Sequence, residues 1–479
     1  MNSSLFIVIW KPECKSHILT LHEKVMYVLR KHAGYYWPQL LAVVLFFFLA
    51  QTATIVAQET PPANFKIAFI GDQGLGPDSV AVLNLIKQEG AQAVMHSGDL
   101  DYADDPAAWD AQINSVLGAN FPYFVSIGNH DELAWNRPNG YQQFLESRFN
   151  RLGISWSGRL GVRSSFHYKG IFFVLTAPGI TSGFDDGSSD LYIRDQLVAD
   201  NSIWSICSWH KTQRLMQIGE KTDESGWDVY EAGRNGGAII ATAHEHSYSR
   251  THLLSNMSAQ TVASTSNTLH LTEGNSFAFV SGLGGRSIRA QSLSGNWWAS
   301  AYASTCLPGD PICQPNAHFG ALFGVFNVDG QANKASFYFK DINGRVVDQF
   351  VVISDVETFP KLLTEEGTGK AIALDSVTWL RDPFPIVTTH NFSLDARTRV
   401  SLFATHVPDD TSVVTAQAED SQNRIFPLPV EFVGKVPSFN WLTQVIVKLP
   451  DELKDVGEVR VSITVRGASS NKVPLSLRP

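Results

Sequence analysis

The chain has 479 residues, 44% apolar and 17% charged. That balance excludes disorder and fibrous repeats, and the length predicts two or three domains. Net charge is −9, and residues 58–479 alone carry 32 basic and 44 acidic side chains; so acidic a body is a poor match for a nucleic-acid backbone, and no nucleic-acid partner is expected.

Near the start, Leu40 to Ala50 runs eleven residues without a polar side chain. A membrane-spanning helix needs ~20 apolar residues and the core of a signal peptide ~7–15. Arg30 and Lys31 supply a basic flank, and Ile55-Val56-Ala57 is an acceptable small-residue cleavage site before Gln58. Residues 1–57 therefore read as a signal peptide, with Met26 a start that gives it ordinary length. An uncleaved membrane anchor is the alternative; the short run favours cleavage. The expectation is export to the periplasm, the cell surface or the medium, with no stable membrane anchor. Cleavage would remove Cys14 and leave three cysteines. Cys306 and Cys313 enclose a turn-rich hexapeptide and read as a small disulfide loop, or else as a metal pair with His318. Cys207, in an apolar stretch, reads as a buried thiol.

Residues 65–70 read as a buried strand ending at Gly71-Asp72. A helix is predicted over 79–88, a strand over 92–97 ending at Gly98-Asp99, a helix over 106–117 opened by Pro106, and a strand over 121–127 ending at Gly128-Asn129-His130-Asp131. A hairpin follows over 165–177, a helix over 189–200, and strands over 203–209 and 238–243 that end at His210 and at His244-Glu245-His246. From 268 to 352 the chain is strand-rich, with hairpin signals at Asp329-Gly330 and Asn343-Gly344. Pattern changes over 355–369, a linker between a domain at 58–354 and short alternating segments over 370–479: 371–379, 398–405, 412–418, 428–433, 442–449 and 457–466. Their spacing predicts a β-sandwich.

Polar clusters stand at the ends of five predicted strands: Asp72; Asp99 with Tyr102; Asn129 with His130; His210; and His244 with His246. The steps from 72 to 99 and from 99 to 129 match one βαβ unit of ~30 residues. Parallel strands would deliver these side chains to one edge, where ligand sites of open α/β sheets lie. Asp, His, Asn and Tyr together without Cys suit hard or borderline metals, and their number suits two ions.

Gly71-Asp72-Gln73-Gly74, Gly98-Asp99-Leu100-Asp101-Tyr102, Gly128-Asn129-His130-Asp131, Cys207-Ser208-Trp209-His210 and Ala243-His244-Glu245-His246 resemble the five signatures of the calcineurin-like metallophosphoesterases. The narrower resemblance is to the purple acid phosphatase branch, because Gly74 replaces the usual His of the first motif and Tyr102 the second Asp of the second. The resemblance implies a four-layer αββα sandwich over roughly 65–352. It implies that Asp72, Tyr102 and His246 hold Fe(III), that Asn129, His210 and His244 hold a divalent ion (Zn, Mn or Fe), that Asp99 bridges, and that His130 stabilises the phosphoryl oxygens or protonates the leaving group. Ala243 stands where the family has Gly, Cys207 where it has Val, and the segment after His210, beginning Lys211-Thr212-Gln213, departs from that of the plant enzymes. Substrate contacts are therefore unassigned.

The resulting expectation is an exported acid phosphatase-like hydrolase acting on phosphorylated small molecules, with in-line attack by a hydroxide generated at the metals. A phosphodiesterase or nucleotidase with Mn or Zn, and a surface binding protein with a vestigial phosphoesterase part, are the alternatives. Gly282-Leu283-Gly284-Gly285 reads as a plain turn rather than a loop over the site, His96 as a core histidine, Asp104-Asp105 as a solvated loop, and Arg286 and Arg289 as surface. His167, His252, His270, His318, His390 and His406 match no motif.

Overall fold

Phe65–Ile70 is apolar at every position but Lys66, and all but Lys66 are buried. Such a run belongs in a strand covered on both faces. In the computed structural model, which describes residues 60–478 apart from 357, 391–392, 408–410, 438 and 466–467, it lies inside a seven-stranded sheet. The spatial order is Thr268–Leu271, Val346–Ser354, Gln331–Asp341, Gly320–Val328, Phe65–Ile70, Ala93–His96 and Tyr123–Val125. The last three are parallel, with Ile70 beside His96 and His96 beside Val125. The turns after them therefore leave from one edge. The expected signal peptide and Cys14 lie outside the described residues, among which no helix is long and apolar enough to cross a membrane.

A second, nine-stranded sheet holds the Arg163–Tyr168 and Ile171–Leu175 hairpin, then Trp204–Ser208 and Ile239–Thr242, which run parallel to Ile171–Leu175. The two sheets share one core. Phe69 packs edge-on against Phe279 at 5.3 Å, and Tyr248 stacks on Phe339 at 4.3 Å. At the edge where the polar turns emerge, buried hydroxyls join the sheets: Ser97 Oγ meets Ser208 Oγ at 3.0 Å, and Ser281 Oγ donates to the Phe69 carbonyl at 2.8 Å. Helices Pro77–Gln88 and Pro106–Val116 cover the first sheet, and helices Ser189–Ala199 and Asp228–Asn235 the second, which gives four layers. Asp105, expected in a solvated loop, caps Pro106–Val116 by accepting the Ala108 N–H.

Beyond residue 360 the chain is all β, in sheets of five and six strands. Val400, Leu402 and Val445 of one sheet share a core with Val461, Ile463 and Leu475 of the other, so they form a sandwich. Two segments differ from expectation. The strand expected over 371–379 is only Ala373–Asp375, because the Asp375 carboxylate accepts the N–H groups of Val377 and Thr378 and turns the chain. The strand expected over 428–433 is two strands, Ile425–Leu428 and Val430–Val436, in different sheets. Pro429 between them has no N–H to continue a ladder. The fold is α/β followed by an all-β sandwich.

Candidate metal centre

The first two motif turns run side by side. The N–H groups of Asp72, Gln73 and Gly74 donate to the carbonyls of Gly98, Asp99 and Leu100, each at 3.0 Å. Asp131 joins the second turn to the third. Its carboxylate accepts the N–H groups of Gly128 at 2.7 Å, Leu100 at 2.8 Å and Asp99 at 3.0 Å. The fifth turn is tied to the first by the His244 N–H on Asp72 Oδ2 at 2.9 Å. Gly128 must be glycine, because a Cβ there would lie 2.2 Å from Asp99 Oδ1. Ala243, the departure from the family's Gly, fits because Gly71 faces it; a Cβ on Gly71 would lie 2.3 Å from the Ala243 Cβ.

Four of the expected ligands have left-handed backbones: φ is 57° at Asp72, 59° at Asp99, 57° at Tyr102 and 68° at His244. That conformation is unfavourable for non-glycine residues and recurs at functional sites. It aims the side chains inward, where they form two adjacent groups. Tyr102 Oη donates to Asp72 Oδ1 at 2.9 Å, and His246 Nε2 lies 3.3 Å from each of those atoms. In the second group His210 Nε2 is 3.2 Å from Asp99 Oδ1 and 3.0 Å from His244 Nδ1. Asn129 Oδ1 is buried with no hydrogen-bond partner in the protein. Asp99 stands between the groups, close enough to the phenol to help raise its pKa, behind burial and Asp72. His130 is exposed at the rim, its backbone N–H on Asp99 Oδ1 at 2.9 Å and its ring 4.6 Å from that of Tyr102.

The imidazoles are held from behind. His210 Nδ1 donates to the Ser97 carbonyl at 2.7 Å, and His244 Nε2 donates to Glu224 at 2.7 Å. With those protons in place, the neutral rings would point two lone pairs at each other across 3.0 Å, beside the Asp99 carboxylate. Only a cation between them makes that arrangement favourable. Asp99, His210 and His244 offer ligand atoms within 4.8 Å of one another, and the orphaned Asn129 oxygen adds a hard donor. These residues fit metal ions.

Without an ion, a proton fills that role. Burial lowers the His210 pKa, but Asp99 outweighs it and lifts it to about 9, while burial brings His244 down to about 4. Burial raises the Asp99 carboxyl, and His210 more than reverses this, holding it below the usual range. Burial and the Asp72 and Asp99 carboxylates hold the Tyr102 phenol firmly protonated. At pH 7 the ion-free site thus carries a proton on His210 and one on Tyr102, both lost if these groups ligate metal. Since both pKa values lie above the working range, apparent metal affinity is expected to rise with pH between 6 and 8. The slope is about one decade per pH unit for each proton released. Calorimetry in buffers of different ionisation enthalpy counts the protons, and an affinity independent of pH would contradict the assignment of His210.

The calcineurin-like phosphoesterase family model matches residues 65–248, the stretch from the first strand through the fifth motif. That stretch of the chain is similar to the calcineurin-like phosphoesterases. Similar solved structures include a purple acid phosphatase from yellow lupin (Lupinus luteus) seeds, at 17% identity over 61% of this chain and 55% of that one, with a TM-score of 0.45. Another is PhoD, at 10% identity over 61% of this chain and 73% of that one, with a TM-score of 0.35. The chain thus spans just over half of the lupin protein.

Around the candidate centre, several residues make contacts that the sequence did not signal. Arg286 is exposed and Arg289 partly so, as expected of surface residues, yet Arg286 lays its guanidinium 4.5 Å over the Tyr102 ring, and Arg289 donates to Glu245 at 3.3 Å and to the His244 carbonyl at 3.4 Å. Gly282–Gly285, expected as a plain turn, packs on the site. The Gly284 N–H donates to the Gly71 carbonyl, and a Cβ on Gly282 would lie 2.8 Å from Asp72 Oδ2. Ser287 Oγ meets His246 Nδ1. Glu224 and Ser287 belong to no motif, and only the positions of their loops make them partners of the histidines. Cys306 and Cys313 form a disulfide, which excludes the metal-pair alternative, and Cys207 is a buried free thiol. His96 is buried beside Tyr123, the expected core histidine. His167, His270 and His406 pair with Asp200, Asp355 and Glu273, none of them part of the centre.

Proposed function

We propose that this protein is an exported dinuclear-metal phosphohydrolase, acid phosphatase-like, acting on phosphate monoesters of small molecules. The observation that carries the reading is the convergence of six of the seven expected ligands, from four separate turns, into two adjacent donor groups with Asp99 between them, while the buried Asn129 Oδ1 has no partner in the protein. The Cys306–Cys313 disulfide supports an oxidising compartment. In this reading residues 58–354 are the catalytic domain and 370–479 an accessory β-sandwich.

Asp72, Tyr102 and His246 would hold one ion, Asn129, His210 and His244 the other, with Asp99 shared. Tyr102, a hard anionic donor once deprotonated, favours Fe(III) at the first position, with Zn, Mn or Fe at the second. Bound ions would supply charge neutralisation at the phosphoryl group and a water acidified for attack. The remaining work belongs to the protein. Hydrolysis adds water across the ester P–O bond, and the departing oxygen needs a proton. His130, exposed at the rim beside Tyr102, is placed to hydrogen-bond the phosphoryl oxygens or deliver that proton. Glu224 and the Ser97 carbonyl keep His244 and His210 in the tautomers that face inward.

The test compares an aryl phosphate monoester with a bis-aryl phosphodiester, from acidic to neutral pH, in protein supplied with Fe and either Zn or Mn. Monoester turnover that dominates at acidic pH is expected, together with a visible charge-transfer band that Tyr102→Phe removes. Dominant diester turnover would replace this reading by a phosphodiesterase one; a coloured Tyr102→Phe protein would overturn the Fe(III) assignment.

A further inference from the structure

The fifth motif carries one ligand of each donor group, His244 in one and His246 in the other, with only Glu245 between them. The relative position of the two groups therefore depends on the shape of this short stretch. That shape is unusual. The Glu245 N–H donates to the Ala243 carbonyl at 2.8 Å, which closes a three-residue turn centred on His244 at φ 68°. A turn of this hand is rare and strained, and such a backbone persists only where its surroundings over-determine it. Asp72 Oδ2 restrains the turn from one side by accepting the His244 N–H at 2.9 Å.

Arg289 restrains it from the other. Its guanidinium donates to the His244 carbonyl at 3.4 Å and to Glu245 Oε2 at 3.3 Å, and its backbone N–H donates to the His246 carbonyl at 2.9 Å. One residue thus holds His244, Glu245 and His246 together. Glu245 is a firm point of attachment, because its carboxylate is 1% exposed and walled by Gly219, where a Cβ would lie 2.3 Å from Oε1. Arg289 makes the only ion pair of that carboxylate among the described residues, and a buried carboxylate is costly without one. Arg289 is itself anchored from behind. Its carbonyl accepts the Ser304 N–H, and the Gln291 N–H donates to the Thr305 carbonyl, each at 2.9 Å, next to the loop that the Cys306–Cys313 disulfide closes. The Arg289 side chain is 40% exposed, so shortening it opens no cavity in the core.

We propose that Arg289 is a positioning residue that fixes His244 relative to His246 and so tunes the metal position to which His244 belongs. This rests on the dinuclear-metal reading. The contacts of Arg289 are unequal, and the inequality supplies the test. Its side chain reaches His244 and Glu245, whereas His246 is met by its backbone, which a substitution keeps, and by Ser287. Affinities of the full chain for Fe(III) and for Zn are measured by competition with chelators, and the Tyr102 charge-transfer band reports on the first position. Arg289→Met is expected to weaken Zn binding about 10-fold, the lower end of what groups behind metal ligands contribute, while Fe(III) affinity stays within about 2-fold and the band does not move. Arg289→Lys keeps the charge but cannot span both acceptors, so it should fall between; it carries the same comparison if Arg289→Met does not fold. A role in stability alone would weaken both positions alike. Equal losses at both positions, or Zn affinity unchanged by the substitution, overturn the positioning role and leave the dinuclear reading standing. A wild-type chain that binds fewer than two ions overturns that reading and the proposal with it. Selective loss of Zn in a chain that cleaves no phosphoester supports the positioning role and overturns the hydrolase reading instead.

Discussion

Asp99→Asn is expected to lower phosphoester turnover by about 10³-fold or more and to leave fewer than two ions bound per chain. Asp99 is the carboxylate common to both donor groups. It lies 3.2 Å from His210 Nε2, accepts the His130 N–H, and acts on the Tyr102 phenol. Asparagine keeps the volume but removes the charge, and places an NH₂ among groups that need an acceptor or a cation. His210 loses the partner that lifts its pKa to about 9, so the proton that stands in for an ion is also held less firmly. An ion at such a site supplies several kcal/mol of transition-state stabilisation, and at ~1.36 kcal/mol per decade a few kcal/mol is about 10³-fold in rate. Metal analysis of the purified variant beside wild type measures the binding part. Two ions per chain with full activity would show that Asp99 is not shared between them.

The second large effect is on architecture. Asp131→Asn is expected to cost about 2–4 kcal/mol of stability, since hydrogen bonds to a charged acceptor are worth roughly 1.5–3 kcal/mol each and the amide can replace only part of them. Three buried N–H groups, from two turns, converge on that carboxylate. Burial, then Asp99, push its pKa well above the usual carboxylate range, and the backbone N–H donors offset only part of that. Asparagine would turn an NH₂ toward at least one N–H. Because two of the donors belong to Asp99 and Gly128, the loss should also loosen the ligands those turns carry. Denaturant melts of the ion-free variant would show a lower midpoint with unchanged slope; a shift worth less than about 0.5 kcal/mol would mean the turns hold their shape without Asp131.

How much of this was legible depended on what each residue's signal is. The strand ends and their polar turns were readable because an apolar run broken by Gly-Asp or Gly-Asn-His is a local pattern, and because βαβ spacing sets which turns share an edge. The ligands followed from that. The helix Tyr141–Leu152 was not readable. Its inward stripe, Tyr141, Leu145, Arg148 and Phe149, contains an arginine, which breaks the apolar period. Arg148 is buried because Asp110 and the carbonyls of Ala119 and Phe121 take its guanidinium protons, a partnership between distant segments that periodicity cannot reveal. The same reason hid Glu224, Ser287 and Arg286. Each belongs to the centre only through a loop that returns to it. Glycine at 282 and 284 read as a turn because the property it serves, close approach to Glu245 and Gly71, is a tertiary one. The split at Pro429 was signalled by the proline itself, but the exchange of sheets was not.

The most direct test is phosphate release from an aryl phosphate as Fe and Zn or Mn are added to the chelator-stripped chain, with bound metal counted at each step. The account predicts negligible turnover in the ion-free chain, turnover that appears as the two positions fill and levels off at two ions per chain, and neither high occupancy nor turnover in Asp99→Asn. Turnover that survives complete removal of the ions, or that is unchanged in Asp99→Asn, would contradict the assignment of phosphoester chemistry to this centre.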